Sequence, residues 1–392
     1  MKSAFIASLV AFANAGKVHE FFAETNLICS LCKDYMGHLS AGRTEEINDM
    51  FTLFPALKKR VLAMTTDNNV DFSQPEQSCI NLELCDGTQT IEEMLMNDRP
   101  IDLEEIANKI NSNPNSTWTA RIPSKFEGKS RAAIKKIMGT VVDPQWVIRA
   151  PELSPYNGAA ENQAIPTDFN AQNNWTGCPL ITWARDQSDC GSCWAHGTTE
   201  AFNDRYCIAT NGSVQQPFSV ADTAGCCSST CLSFDCNGGQ VATPWKWFKN
   251  TGVVSGGGYG DNNFCYAYTM PECAHHVPAT ATLPDCSTVP TVAPQCLSSC
   301  PSNTSINYAG NKLKSISNYG FGGVVSAIQN DIMAHGPVSA AFTVYEDFLT
   351  YSGGVYYHQT GASLGGHAIK IYGWGYDIPS GKNYWMCMNS WN

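Results

Sequence analysis

The sequence predicts an α+β protein in which a polar, helical N-terminal third precedes a larger part that mixes helix and strand. Three observations carry this. Residues 17–95 place Leu39, Met50, Leu53, Leu57, Val61 and Met64 at helical spacings, and 101–140 continue as a second helical, mixed-charge piece. From Ile165 onward Gly, Cys and Trp become dense and short strand signals appear. Within that part, 194–205 reads as a helix with Ala195, Thr198 and Phe202 on one face. The run around His367 alternates as a strand, with His367, Ile369 and Ile371 on one side. At 392 residues the chain exceeds one ordinary domain and can bury a sizeable core.

The first element is a leader. Lys2, the short apolar run 4–12 and Ala13-Asn14-Ala15 predict a signal peptide over residues 1–15. No later stretch reaches the ~20 apolar residues that a bilayer requires. Eighteen cysteines agree with an oxidising route, because a reducing cytosol would leave most of them idle. The expected location is therefore the secretory pathway, ending in a lysosome or outside the cell. On that route the sequons at Asn115, Asn174, Asn211 and Asn303 become usable. A formal charge of −11 with 24 basic residues argues against nucleic acid as a partner.

Residues 16–95 carry their own cysteine pattern, Cys29-x-x-Cys32 and Cys79-x5-Cys85. The second spacing is wider than a zinc knuckle uses, so an oxidised helical hairpin fits better than a metal site. The arrangement resembles a saposin B-type domain but lacks that family's middle cysteine pair. A lipid-interacting domain and an idiosyncratic helical pro-region stand as alternatives. Residues 143–163, with Pro144, Pro151 and Pro155, read as an exposed linker.

The sharpest signal is Gln187-Ser-Asp-Cys-Gly-Ser-Cys193-Trp194. Cys193 would open the helix that follows, where the helix dipole favours a thiolate, the nucleophilic form of sulfur. A partner base is offered by His367 in Gly365-Gly366-His367, where two glycines let a chain approach closely. Asn389 in Asn389-Ser-Trp-Asn392 can accept the second imidazole N–H and hold the ring's tautomer, with Trp391 as a shield. Gln187 can donate a side-chain N–H to an oxyanion, and the backbone N–H of Cys193 is the natural second donor. Asp189 adds a carboxylate near the sulfur, which is expected to raise the thiol's pKa.

These words, in the order Gln–Cys–His–Asn, make residues 165–392 resemble a papain-like cysteine peptidase. The resemblance implies a two-lobed fold with a helical left lobe and a β-barrel-like right lobe. It implies peptide and protein substrates and needs no cofactor or metal. Asn237-Gly238-Gly239 matches the family's glycine wall, which hydrogen-bonds an extended substrate backbone. His367 follows Cys193 by 174 residues, more than the ~130–150 usual for the family. The excess holds Cys273-Ala-His275-His276, closed by Cys286, which resembles the occluding loop of cathepsin B. By that resemblance His275 and His276 bind a substrate's C-terminal carboxylate, one loop histidine pairs with Asp186, and C-terminal dipeptides are released. The family's second loop tether uses an Arg where Leu283 stands. The implied disulfides are Cys178–Cys207, Cys190–Cys236, Cys226–Cys296, Cys227–Cys231, Cys265–Cys300 and Cys273–Cys286, with Cys387 left over. Residues 96–164 resemble a short cathepsin B propeptide, which in the family lies backwards in the cleft and inhibits. Family members continue beyond the Asn-Ser-Trp-Asn word, so the peptidase part 165–392 reads as C-terminally incomplete.

Overall fold

A computed structural model describes residues 99–140, 154–155 and 164–392 apart from 232, 234, 276 and 322. The chain divides after Asn97, and every described residue belongs to the second unit. The signal peptide, the 16–95 domain with its lipid partner and most of the 143–163 linker lie outside the described residues. The one described part of that linker, β2 (Ser154–Pro155), runs parallel to β4 (Tyr319–Gly320) rather than standing free.

The propeptide-like segment opens on α1 (Leu103–Asn111). Asp102 caps it by accepting the Glu105 N–H at 2.8 Å, Glu104 and Glu105 occupy its positive end, and Lys109 its last turn. Leu103, Ile106, Ala107 and Ile110 are buried, the i, i+3, i+4, i+7 stripe of a one-faced helix. β1 (Trp118–Ala120) then pairs antiparallel with β6 (Tyr351–Gly354). Trp118 packs 5.1 Å from Tyr356 and donates its indole N–H to Tyr357 O. After α2 (Arg131–Lys135), the segment ends on residues 137–140. Its apolar side chains, among them Phe126, Ile134, Ile137 and Met138, share one core with Val344, Leu349, Leu364 and Trp391.

Two lobes follow. The helical lobe is built on α4 (Cys193–Ala209), with α5 (Val220–Cys231) and α6 (Thr243–Asn250) packed around it; a short α3 (Ala171–Asn174) precedes them. Its core centres on Trp194, Phe202, Phe218 and Phe248, with Phe202 stacked on Phe248 at 4.7 Å. Long loops from 255 to 315 have little regular structure and are fastened by cysteine pairs. Among the described residues six disulfides join Cys178–Cys207, Cys190–Cys236, Cys226–Cys296, Cys227–Cys231, Cys265–Cys300 and Cys273–Cys286. Among the described residues Cys193 and Cys387 carry free thiols.

The second lobe is a sheet in the order β3 (Phe169–Asn170), β7 (Ser363–Asp377), β5 (Val338–Tyr345), with β8 (Lys382–Met388) also paired to β7. Neighbouring strands are antiparallel, and α7 (Val325–His335) leads into β5. The architecture is α+β and papain-like, as the motifs imply. No described helix is long and apolar enough to cross a membrane.

Candidate active site

The two lobes meet where α4 lies against β7, and one glycine sets their distance. A Cβ on Gly197 would stand 3.2 Å from the Ile369 backbone, so hydrogen at this position is what allows helix and strand to come close. The same interface holds buried charge. The Lys370 ammonium on β7 lies 2.8 Å from Asp204 and 3.8 Å from Glu200 on α4, about three and two turns beyond Cys193 respectively. Burial pushes both carboxyls up, Glu200 to about 7.

This contact brings the sequence-predicted residues together. Cys193 is the first residue of α4 and is buried. The backbone N–H of Ala368, next to His367, faces its sulfur. His367 donates from Nε2 to Asn389 Oδ1 at 2.7 Å, and its Nδ1 has no hydrogen-bond partner. The register explains the pairing: Lys370 sits opposite Met388, so the chain leaving β8 returns Asn389 beside His367. Trp391 is fully buried, with its ring 4.5 Å from the imidazole.

The cleft is covered, and this changes the electrostatics expected from the sequence. Thr140 Oγ1 is 3.1 Å from Cys193 Sγ. The 139–140 backbone is clamped from both lobes, by Gly239 N–H to Gly139 O at 3.0 Å and by Thr140 N–H to Gly366 O at 3.1 Å. Gly238 takes a left-handed φ of +99° with the Gly139 backbone 3.5 Å from its Cβ position. A Cβ on Gly139 would fall 1.7 Å from Gly191 O, so only glycine fits there. Burial under this segment pushes the Cys193 thiol up, opposed by hydrogen bonds from Thr140 and from backbone amides. Burial likewise pushes His367 down to about 4, despite its bond to Asn389. The ionised pair expected from the motif is therefore replaced by a neutral one, because both groups are out of water. Asp189 is not what raises the thiol: its charge acts on Lys125.

Gln187 also differs from expectation in this covered state. Its Nε2 donates to Cys190 O at 2.6 Å and to Ile137 O at 3.1 Å, so a carbonyl of the covering segment takes the N–H expected to face an oxyanion. Its Oε1 accepts from Ser390 Oγ at 2.6 Å.

The 273–286 loop is folded down onto Asp186. His275 Nε2 is 2.6 Å from Asp186 Oδ1, and Cys273 N–H donates to Oδ2 at 2.8 Å. Lys125 Nζ lies against the same ring, 2.6 Å from Nδ1 and 3.3 Å from Nε2, so the imidazole is covered and His275 is not free to meet a substrate carboxylate here. His276 lies outside the described residues. Leu283 leaves one tether missing, yet others hold the loop: Asn392 Nδ2 donates to Asp186 Oδ2 and Cys273 O, and Ser124 Oγ to Val277 O. Cys273, His275 and Cys286 cluster as metal ligands would, but both sulfurs are committed to one disulfide. Lys125, Thr140 and Asn392 were not readable as site residues. Nothing in the word Pro123-Ser-Lys-Phe126 distinguishes its lysine from a surface one.

Fold and site together define a two-lobed cysteine peptidase held in a covered form. The chain belongs to the papain family of cysteine proteases, whose profile matches residues 165–392. Its curated relatives are of the cathepsin B type. It is 39% identical over 295 residues to cathepsin B-like cysteine proteinase 4 of Caenorhabditis elegans, covering 75% of this chain and 84% of that one. With cathepsin B-like cysteine proteinase 6 of the same animal it shares 39% over 302 residues, covering 74% and 76%. Among solved structures, procathepsin B S9 of Trypanosoma congolense superposes with a TM-score of 0.61 at 26% identity, covering 75% of this chain and 89% of that one.

Proposed function

We propose that the protein is a peptidase zymogen in which Cys193 is the nucleophile, His367 the acid/base, Asn389 the group that orients the ring, and Gln187 an oxyanion donor. Residues 1–15 are its leader, 16–95 an accessory domain, 96–164 the inhibitory propeptide and 165–392 the peptidase. The observation that carries this reading is the His367 Nε2–Asn389 contact, which leaves Nδ1 unpartnered, on the residue adjoining Ala368, whose N–H faces the Cys193 sulfur.

With the cleft open, water returns to the sulfur and ring, and the thiolate–imidazolium pair forms. The thiolate attacks the peptide carbonyl carbon, and the oxyanion is met by Gln187 Nε2–H and the Cys193 N–H. His367 gives its proton to the leaving amine as the C–N bond breaks, leaving a thioester. His367 then takes a proton from water, the resulting hydroxide attacks, and the C–S bond breaks to release the acid. Gly239, which bonds the covering segment now, and Gly238 beside it bond the substrate backbone afterwards. The Cys273–Cys286 loop at one end of the cleft supports release of C-terminal dipeptides beside internal cleavage, and six disulfides support a secretory route.

Processed protein should react stoichiometrically with an epoxide or vinyl-sulfone thiol probe, and Cys193→Ala should abolish this. Properly oxidised, processed chain that never labels would refute the reading.

A further inference from the structure

Tyr268 is 5% exposed and stands between two disulfides, Cys265–Cys300 and Cys273–Cys286, on the long loops of the helical lobe. Its hydroxyl donates to the Gln187 carbonyl at 3.0 Å and lies 2.8 Å from Ser192 Oγ. Gln187 and Ser192 are both fully buried. Gln187 carries the side-chain N–H assigned to the oxyanion, and Ser192 directly precedes Cys193, which carries the backbone N–H. One phenol therefore touches the two short stretches that hold both donors.

Donor counting gives these contacts a direction. A carbonyl oxygen has no hydrogen to give, so the phenol hydrogen is committed to Gln187 O. The phenol oxygen then accepts, and Ser192 Oγ–H is the donor. Burial pushes the Tyr268 hydroxyl up, so it keeps the hydrogen it donates. With its own hydrogen spent, Ser192 Oγ can only accept from His196, whose Nδ1 lies 3.4 Å from Oγ and 3.1 Å from Ser192 O. Burial lowers His196 to about 3, so the ring is neutral, and the network assigns its one hydrogen to Nδ1. The imidazole also packs edge-on against the phenol, with ring centroids 4.9 Å apart. The chain runs from His196 to Ser192 to Tyr268 to Gln187, each donating to the next.

Two features of the backbone agree with a tie at this place. Ser192 is the N-cap of α4, yet its side chain makes no capping bond. A serine there ordinarily accepts from first-turn N–H groups, and here the hydroxyl is turned to Tyr268 instead. Ser188 takes a left-handed φ of +58°, a costly conformation for a residue with a side chain, which persists only under outside support. Its N–H is tied to Asp186 Oδ1 at 2.7 Å, and the Gln187 N–H to Ser390 O at 2.8 Å. The Tyr268 bond holds the remaining polar group of the Gln187 backbone. Resting on the reading of Gln187 and the Cys193 N–H as oxyanion donors, we propose that Tyr268 is a positioning residue of the oxyanion hole, fixing the Gln187 turn against the start of α4 so that both donors point at one place. It acts through these two residues, so its effect falls on the step in which the carbonyl oxygen gains charge.

The test separates that step from the reactivity of the sulfur. Iodoacetamide alkylates Cys193 at a saturated carbon: the C–S bond forms, iodide leaves with the electron pair, and no oxyanion appears. Cleavage of a peptide anilide passes through the oxyanion. In processed Tyr268→Phe, kcat for the anilide should fall about tenfold with KM held within about twofold. A donor removed outright costs about 10²–10³, and this one is only let out of line. The iodoacetamide rate and its pH profile should equal the parent's. Ser192→Ala, which cuts the chain one link further, should show the same split, and it serves alone if Tyr268→Phe does not fold. An unchanged kcat, a change in KM alone, or equal losses in cleavage and alkylation overturns the proposal. A parent enzyme that neither cleaves nor alkylates would refute the reading of Cys193 as nucleophile and the proposal with it, so the two failures are distinct.

Discussion

Replacing Gly139 by alanine adds one methyl group at the tightest point between propeptide and peptidase. The new Cβ would sit 1.7 Å from Gly191 O, where real contacts do not fall below 3.0 Å. Gly191 cannot retreat, because its own Cβ position is 2.3 Å from Cys236 O and its N–H is bonded there. The propeptide strand must therefore lift by about 1 Å or more, which carries two hydrogen bonds of 3.0 and 3.1 Å, to Gly239 and Gly366, beyond useful length. At about 0.5–1.5 kcal/mol each, their loss weakens the seated state by roughly 1–3 kcal/mol, or about 5- to 150-fold in the opening equilibrium. The assay is the rate at which an irreversible thiol probe labels Cys193 in the unprocessed full-length chain at neutral pH, since only the open fraction reacts. Glu127→Ala, at an exposed propeptide position, is the control. Labelling of Gly139→Ala at the parental rate would show that residues 139–140 do not cover the sulfur as described.

Asn389→Ala removes the acceptor from the ring's second N–H; with about 1.5–3 kcal/mol for a bond to a charged group, kcat/KM of the processed enzyme should fall about 10- to 150-fold. An unchanged value would remove Asn389 from the mechanism. Cys273→Ser with Cys286→Ser should weaken dipeptide release while sparing internal cleavage, measured on paired substrates with free and amidated C-termini; equal loss of both would contradict the loop's role. Burial lowers His367 to about 4 in the covered form and raises the Cys193 thiol, so uncovering moves a proton from sulfur to ring within the pair and takes up none from solvent. Cys193→Ala removes that internal donor: in this variant the uncovered ring takes its proton from solvent, and covering should weaken as pH falls from about 6.5 toward 4, by up to about 1.4 kcal/mol per unit. Histidine titration by NMR should show the His367 midpoint rising on processing, and an identical midpoint in both forms would refute this.

Much of the candidate site is legible in sequence because its chemistry demands particular residues at local spacings. A thiol at a helix start, a histidine on a glycine-flanked strand and an amide followed by tryptophan each have a short-range signature. The helix opening at Cys193 and the strand through His367 follow from periodicity, since burial of one face is a property of neighbours in the chain. The ring state of His367 and the thiol's shift are not local properties. They follow from residues 139–140 lying across the cleft, more than fifty positions before Cys193. The resemblance already pairs a loop histidine with Asp186, as His275 does, whereas the contact of His275 with Lys125 joins segments 150 positions apart and comes only from the fold.

By itself, then, the sequence determined the family and the candidates for the reacting groups, since these depend on residue type and spacing. Tertiary structure alone decided which protonation states those groups hold and which partners block them. Desolvation and donor counting act between atoms that meet only when distant segments are packed together, and no spacing rule along the chain encodes that meeting.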